Sequence, residues 1–109
     1  MDRRVKPPCV AVIFTSKRLP GNDVDYARVA EEMERLARDQ PGFIHVESVR
    51  GADGVGITIS YWESIEAAHA WGKVPAHQLA QKLGREKFYQ WFDLRVAEIR
   101  TSRSFTSNE

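Results

Sequence analysis

From Cys9 to Thr15 the chain is apolar at both parities, the pattern of a strand covered on its two faces. The turn residues Leu19-Pro20-Gly21-Asn22-Asp23 come next, and Val29, Met33, Leu36 and Ala37 recur behind them at helical spacing. This predicts a helix over Asp23–Asp39, begun by a polar cap and ended by Pro41-Gly42. Residues alternate again from Phe43 to Arg50, and Gly51-Ala52-Asp53-Gly54 connects them tightly to Val55–Trp62, which reads as an antiparallel hairpin. Ser64 is placed to cap a second helix, with Glu66 in its first turn and Ile65, Ala68 and Trp71 as its apolar stripe. Gly72 and Pro75 interrupt that helix. A further helical stretch, Ala76–Lys87, is expected to turn Ala76, Leu79, Ala80 and Leu83 inward. A long strand-like run from Phe88 to Ile99 follows, and then a tail, Thr101–Glu109, polar except for Phe105.

The predicted order is β-α-β-β-α-β, an α+β, ferredoxin-like domain over residues 1–109, with its core at about 9–100 and a polar tail at 101–109. Two helices cover only one face of a four-stranded sheet, so the other face of such a subunit should read polar. It does not: Val10, Val12 and Phe14 occupy one parity of the first strand and Cys9, Ala11 and Ile13 the other. Ile57, Ile59 and Tyr61 likewise stand opposite Trp62. A second sheet is the economical cover, so a homodimer is expected; each 100 Å² of apolar sheet buried this way contributes about 2.5 kcal/mol before association costs.

Composition narrows the functional classes. With 16 Lys and Arg against 15 Asp and Glu, interspersed in sign, the chain offers no electrostatic footprint for nucleic acid. Arg3, Arg4 and Lys6 precede an apolar run, Cys9–Ser16, that is too short and too strand-like for a signal peptide or membrane span, which makes the cytoplasm the expected compartment. Cys9 is the single cysteine, so no intrachain disulfide can form, and a small buried strand residue is expected there. No two of the three histidines have the spacing of a metal site, and none is expected.

Several segments carry a family resemblance: Val12-Ile13-Phe14-Thr15-Ser16, Gln40-Pro41-Gly42-Phe43, Gly56-Ile57-Thr58-Ile59-Ser60-Tyr61-Trp62-Glu63-Ser64 and Ala70-Trp71, then His77, Gly84-Arg85-Glu86-Lys87-Phe88-Tyr89 and Arg95-Val96. From about Val10 to Phe105 the chain resembles the antibiotic biosynthesis monooxygenase superfamily. The resemblance implies a dimeric α+β barrel, two ferredoxin-like subunits packed sheet on sheet, with a cavity between helices and sheet in each. It does not imply one chemistry. Some members oxidise aromatic intermediates with O2 and no cofactor, some cleave haem, some act on quinols or signalling molecules.

The reading this supports is a monooxygenase that needs no cofactor and oxygenates a small aromatic or quinol-like metabolite. Its alternatives are a non-catalytic dimeric ligand-binding or stress-related module and, behind both, a haem-degrading enzyme. By resemblance Trp71 lines the pocket. His77, just past Pro75 on the flank of the Leu79/Leu83 stripe, is the candidate proton acceptor, with Gln81 one turn on. His69, four residues after Ile65, is a further pocket candidate expected to face partly toward the sheet; His45 reads as a satisfied, partly buried histidine. Tyr61, Trp62, Tyr89, Trp91 and Phe92 form an aromatic set that fills core and interface, and Tyr61 is the one taken as a candidate ligand contact. For haem cleavage the resemblance asks for an Asn on the first strand and a His ligand ten residues after Trp71; Cys9–Arg18 contains no Asn, and the second position is Gln81.

Overall fold

The computed structural model describes residues 5–108, so the basic pair Arg3 and Arg4 lies outside the described residues. The elements are β1 (Cys9–Arg18), α1 (Asp23–Arg38), β2 (Phe43–Arg50), β3 (Val55–Trp62), α2 (Ile65–Gly72), α3 (Pro75–Leu83), a π-helical turn (Gly84–Phe88) and β4 (Tyr89–Ile99). The four strands form one antiparallel sheet in the order β2-β3-β1-β4. The class and element order are those expected, an α+β ferredoxin-like sheet with helices on one side, the second helical region being split in two.

Local chemistry accounts for the boundaries. Asn22 enters α1 in the left-handed region, which a short polar side chain tolerates, and Asp23 and Asp25 place negative charge at the helix start. Ser64 caps α2 by accepting a bond from the Ala67 amide at 3.1 Å. Val74 is extended, as a residue before proline prefers, and Pro75 opens α3 where its missing N–H costs nothing. Gly42 is required twice over: its φ is +83°, and a Cβ there would lie 2.6 Å from that of Ala67.

Register sorts the strand residues onto two faces. Val10 pairs with Trp62 and turns with it toward the helices, where Ala37, Ala68 and Trp71 complete a core flanked by Val12, Met33, Leu36, Phe43 and Val74. Trp62 is 0% exposed at its centre. Cys9, Ala11, Ile13, Ile57, Ile59 and Tyr61 belong to the opposite, bare face. Cys9 is buried, as expected of it, and burial pushes its thiol pKa up.

Two details differ from the sequence reading. Phe88 ends the π turn instead of opening the last strand. Leu79, expected inside, is 59% exposed, while Ala76, His77, Ala80, Gln81 and Leu83 are half-buried. The inward seam of α3 is therefore rotated toward its polar flank, because the ring of His77 packs flat on Trp71 and fixes which side of the helix meets the core. Among the described residues no helix is long and apolar enough to cross a membrane.

Candidate functional site

The site is built on a column of rings at one end of the covered face. Phe43 meets Trp62 edge-on at 5.6 Å, Trp71 stacks over Trp62 at 6.3 Å, and His77 stacks on Trp71 at 4.3 Å with the planes 10° apart. Trp71 stands in the last turn of α2, where carbonyl groups lack helical partners. His77 Nδ1 lies 3.0 Å from the Trp71 carbonyl oxygen. A carbonyl can only accept, so Nδ1 carries the hydrogen and Nε2 keeps a lone pair. Burial lowers the His77 pKa from its ordinary value, with the bond to the Trp71 carbonyl opposing, and the ring is therefore neutral at neutral pH. The result is an oriented imidazole with a basic nitrogen, held against a flat aromatic wall.

The other candidates divide. Gln81 is half-buried one turn beyond His77 on the same inward side of α3. His69, expected to face partly toward the sheet, is exposed, since the face of α2 carrying Ala68 and Trp71 takes the buried position. Tyr61 is on the wrong side for this pocket. Side chains alternate along a strand, so with Trp62 turned to the helices Tyr61 must turn to the bare face. There its hydroxyl donates to Glu47 Oε1 at 2.8 Å, its ring lies parallel to that of His45 at 6.1 Å, and Glu47 Oε2 is 3.6 Å from His45 Nε2. Burial, reinforced by the bond to Glu47, pushes the Tyr61 pKa up to about 12. Tyr61 and His69 thus do not join Trp71, His77 and Gln81.

The resemblance implied a cavity between helices and sheet, and here that space is an open trough. α1 lies along β2, and α2 lies over β1 and β3, so the helix side of β4 is left uncovered. Leu94 and Val96, which pair with Phe14 and Val12 on that side, are 52% and 48% exposed. Two shallow depressions of about 370 and 380 Å³ lie elsewhere, one between Gly42 and Ala67, the other between Cys9 and Glu98, and neither is lined by Trp71 or His77. At the far end of the trough Tyr89 packs against Phe14 at 5.2 Å and Phe92 at 6.2 Å, and a polar group of Tyr26, Arg18 and Arg50 closes it. Sequence reasoning did not assemble this group. Its one local signal is Gly56 inside an apolar strand: a Cβ there would lie 2.7 Å from Arg50 Cζ, so the glycine lets the guanidinium cross β3.

The family model for antibiotic biosynthesis monooxygenases matches residues 9–83, more than half of the chain. The chain belongs to this family. It is 45% identical over 108 residues to YqjZ, an uncharacterised protein of Bacillus subtilis strain 168, covering 99% of this chain and 94% of that one. It is 27% identical over 103 residues to the jasmonate monooxygenase ABM of Pyricularia oryzae, covering 91% of this chain but 46% of that longer protein. Among solved structures it resembles SnoaB, a cofactor-independent oxygenase from Streptomyces nogalater, crystallised as an Asn-to-Ala mutant, with a TM-score of 0.75 at 15% identity over 87% of this chain and 96% of that one. At that identity the likeness is one of fold. The monooxygenase-type architecture of the family is therefore shared by this chain, in which His77 stacks on Trp71.

Proposed function

We propose that the chain is a monooxygenase of small aromatic or quinol-like metabolites, working without a bound cofactor as a homodimer packed bare face to bare face. One observation carries this reading: His77 is fixed by the Trp71 carbonyl so that a neutral imidazole offers Nε2 beside an aromatic wall. A phenol lying along the trough would give its proton to Nε2 of the imidazole that Trp71 holds in place. The phenolate is electron-rich enough to reduce O2 directly. Insertion of one oxygen atom on the ring, with the other leaving as water, converts a phenol to a quinone; the substrate supplies all four electrons and no external reductant is needed. The protein's part is to bind the ring, take the proton and exclude water.

Dimerisation serves the fold before it serves the chemistry. The bare face exposes Val49 at 72% and Ile57 at 40%, apolar area that a second sheet would cover.

The test is O2 uptake with a panel of phenols and hydroquinones, comparing the chain with His77→Ala. Turnover that falls by about a hundredfold or more in the variant supports the reading, the usual contribution of a positioned base. Ligand binding with no uptake by either protein would instead mark a receptacle, the non-catalytic alternative.

A further inference from the structure

The trough has two chemically different ends. Against the acceptor at His77 stands a group of donors at the opposite end of β1. Arg50 reaches across β3 and spends Nη1 on the Ser16 carbonyl at 3.3 Å and the Gly54 carbonyl at 2.6 Å, and Nη2 on Ser16 Oγ at 3.0 Å and Tyr26 Oη at 3.2 Å. Among the described residues all its bonds thus go to neutral oxygens, so its charge is oriented but not matched. Tyr89 donates to the same Tyr26 oxygen at 3.4 Å. Arg18 lies over the Tyr26 ring at 3.8 Å, tied to the Gly21 carbonyl and, from the solvent side, to Asp23 at 3.3 Å.

A phenol has one hydrogen and two acceptor positions. Arg50 and Tyr89 fill both acceptor positions of Tyr26, so its own hydrogen is left to give. Accepting from a guanidinium and a second hydroxyl polarises Tyr26 and strengthens it as a donor. The ring of Tyr89 joins this hydroxyl to the trough floor through Phe14 and Phe92.

We infer that Tyr26, backed by Arg50 and Arg18, is a second polar subsite that receives a carboxylate or carbonyl oxygen at the far end of an elongated aromatic ligand whose phenolic end meets His77. This rests on the function proposed above and narrows its substrate class. Val10, beneath the Trp62–Trp71 stack, and Phe14, beside Tyr89, are four residues apart on one strand, roughly 13 Å. Side chains reach inward from both ends, so a fused-ring aromatic, or a ring with a side chain, spans the trough where a single-ring phenol does not.

Calorimetric titration with two probes tests this: a naphthol with its hydroxyl at one end of the long axis, and the hydroxynaphthoate that adds a carboxylate at the other end. The chain should bind the hydroxynaphthoate about tenfold more tightly. Tyr26→Phe should bring the two probes to nearly equal affinity while leaving the naphthol unchanged. Tyr89→Phe, which keeps the Tyr26 hydrogen, should retain the preference, and circular dichroism checks that both variants fold. No preference in the unmodified chain, whether or not the probes bind, or a preference that survives Tyr26→Phe, overturns the subsite. Oxygen uptake read on the same samples separates the two proposals. A preference without uptake on these probes or on the phenol and hydroquinone panel leaves the subsite standing and removes the oxygenase, and uptake without preference does the reverse.

Discussion

The two faces of the sheet are made from the same kinds of residue and differ in what shelters them. On the covered face Val10, Trp62 and Trp71 are closed over by α1 and α2, and the contacts are complete within one chain. On the bare face Ile13 lies against Ile59 and Arg95, Ile57 against Val49, and no element of the described chain is layered over them. Apolar alternation therefore says that a face will be buried without saying by what. The covered face is a matter of stability, the bare face, if the proposed dimer forms, a matter of association, and substitutions should separate the two. The largest effect is expected at Trp62→Ala, which removes the floor of the ring column. The cost should be about 3–5 kcal/mol in denaturant unfolding, a large share of a small domain's stability. A loss below about 1 kcal/mol would mean that the helices are not packed on this face as described.

The counterpart on the bare face is Ile13→Asp. Arg95 stands directly across the β1–β4 pair, so within one subunit the carboxylate gains a cross-strand partner and the fold should persist. In a sheet-on-sheet dimer the same carboxylate would be desolvated. The dissociation constant should rise by about a hundredfold or more. Light scattering at micromolar concentration reads the change directly: a dimer for the unmodified chain, a monomer for the variant, with far-UV circular dichroism unaltered. An unchanged mass would remove the bare face as the interface.

This contrast also explains which parts of the molecule the sequence disclosed. Strand and helix order were legible because periodicity, the Ser64 cap and the Pro75 break are local signals, each acting within a few residues. The sequence offers Trp71 and His77 as site candidates but not their stacking, which depends on how a broken helix refolds over six residues. The apolar stripe of α3 predicted Leu79 inside; in the structure it is exposed, and the flank that carries His77 stacks on Trp71. Tyr61 was assigned to the pocket on aromatic content alone, although strand parity, fixed by Trp62, already sent it to the bare face. The Tyr26–Tyr89 group was out of reach. Tyr26 on α1 and Tyr89 on β4 are 63 residues apart in sequence, and Arg50 joins them from β2 across β3.

The smallest effects are those of pH, and they take opposite signs for the histidine of the covered face and the tyrosines. His77, on the covered face, has its pKa lowered, so below the ordinary histidine value the unfolded chain binds a proton that the folded chain refuses. Stability present above that value is lost as pH falls. Tyr61, on the bare face, has its pKa raised to about 12 from an ordinary 10, so the unfolded chain gives up its proton first and stability is lost as pH rises through this window. Tyr89 is raised as well, by burial and its bond to Tyr26, and adds to the same alkaline loss. Melting temperature followed against pH should therefore fall on both sides, with His77→Ala flattening the acid limb and Tyr61→Phe flattening only part of the alkaline one. Protein concentration sharpens the test. A partner sheet laid over Tyr61 would desolvate it further, so its ultraviolet titration should move upward as the dimer forms, whereas His77 on the other face should titrate alike at every concentration. A Tyr61 titration indifferent to concentration across the association range would place the interface away from the face that carries it.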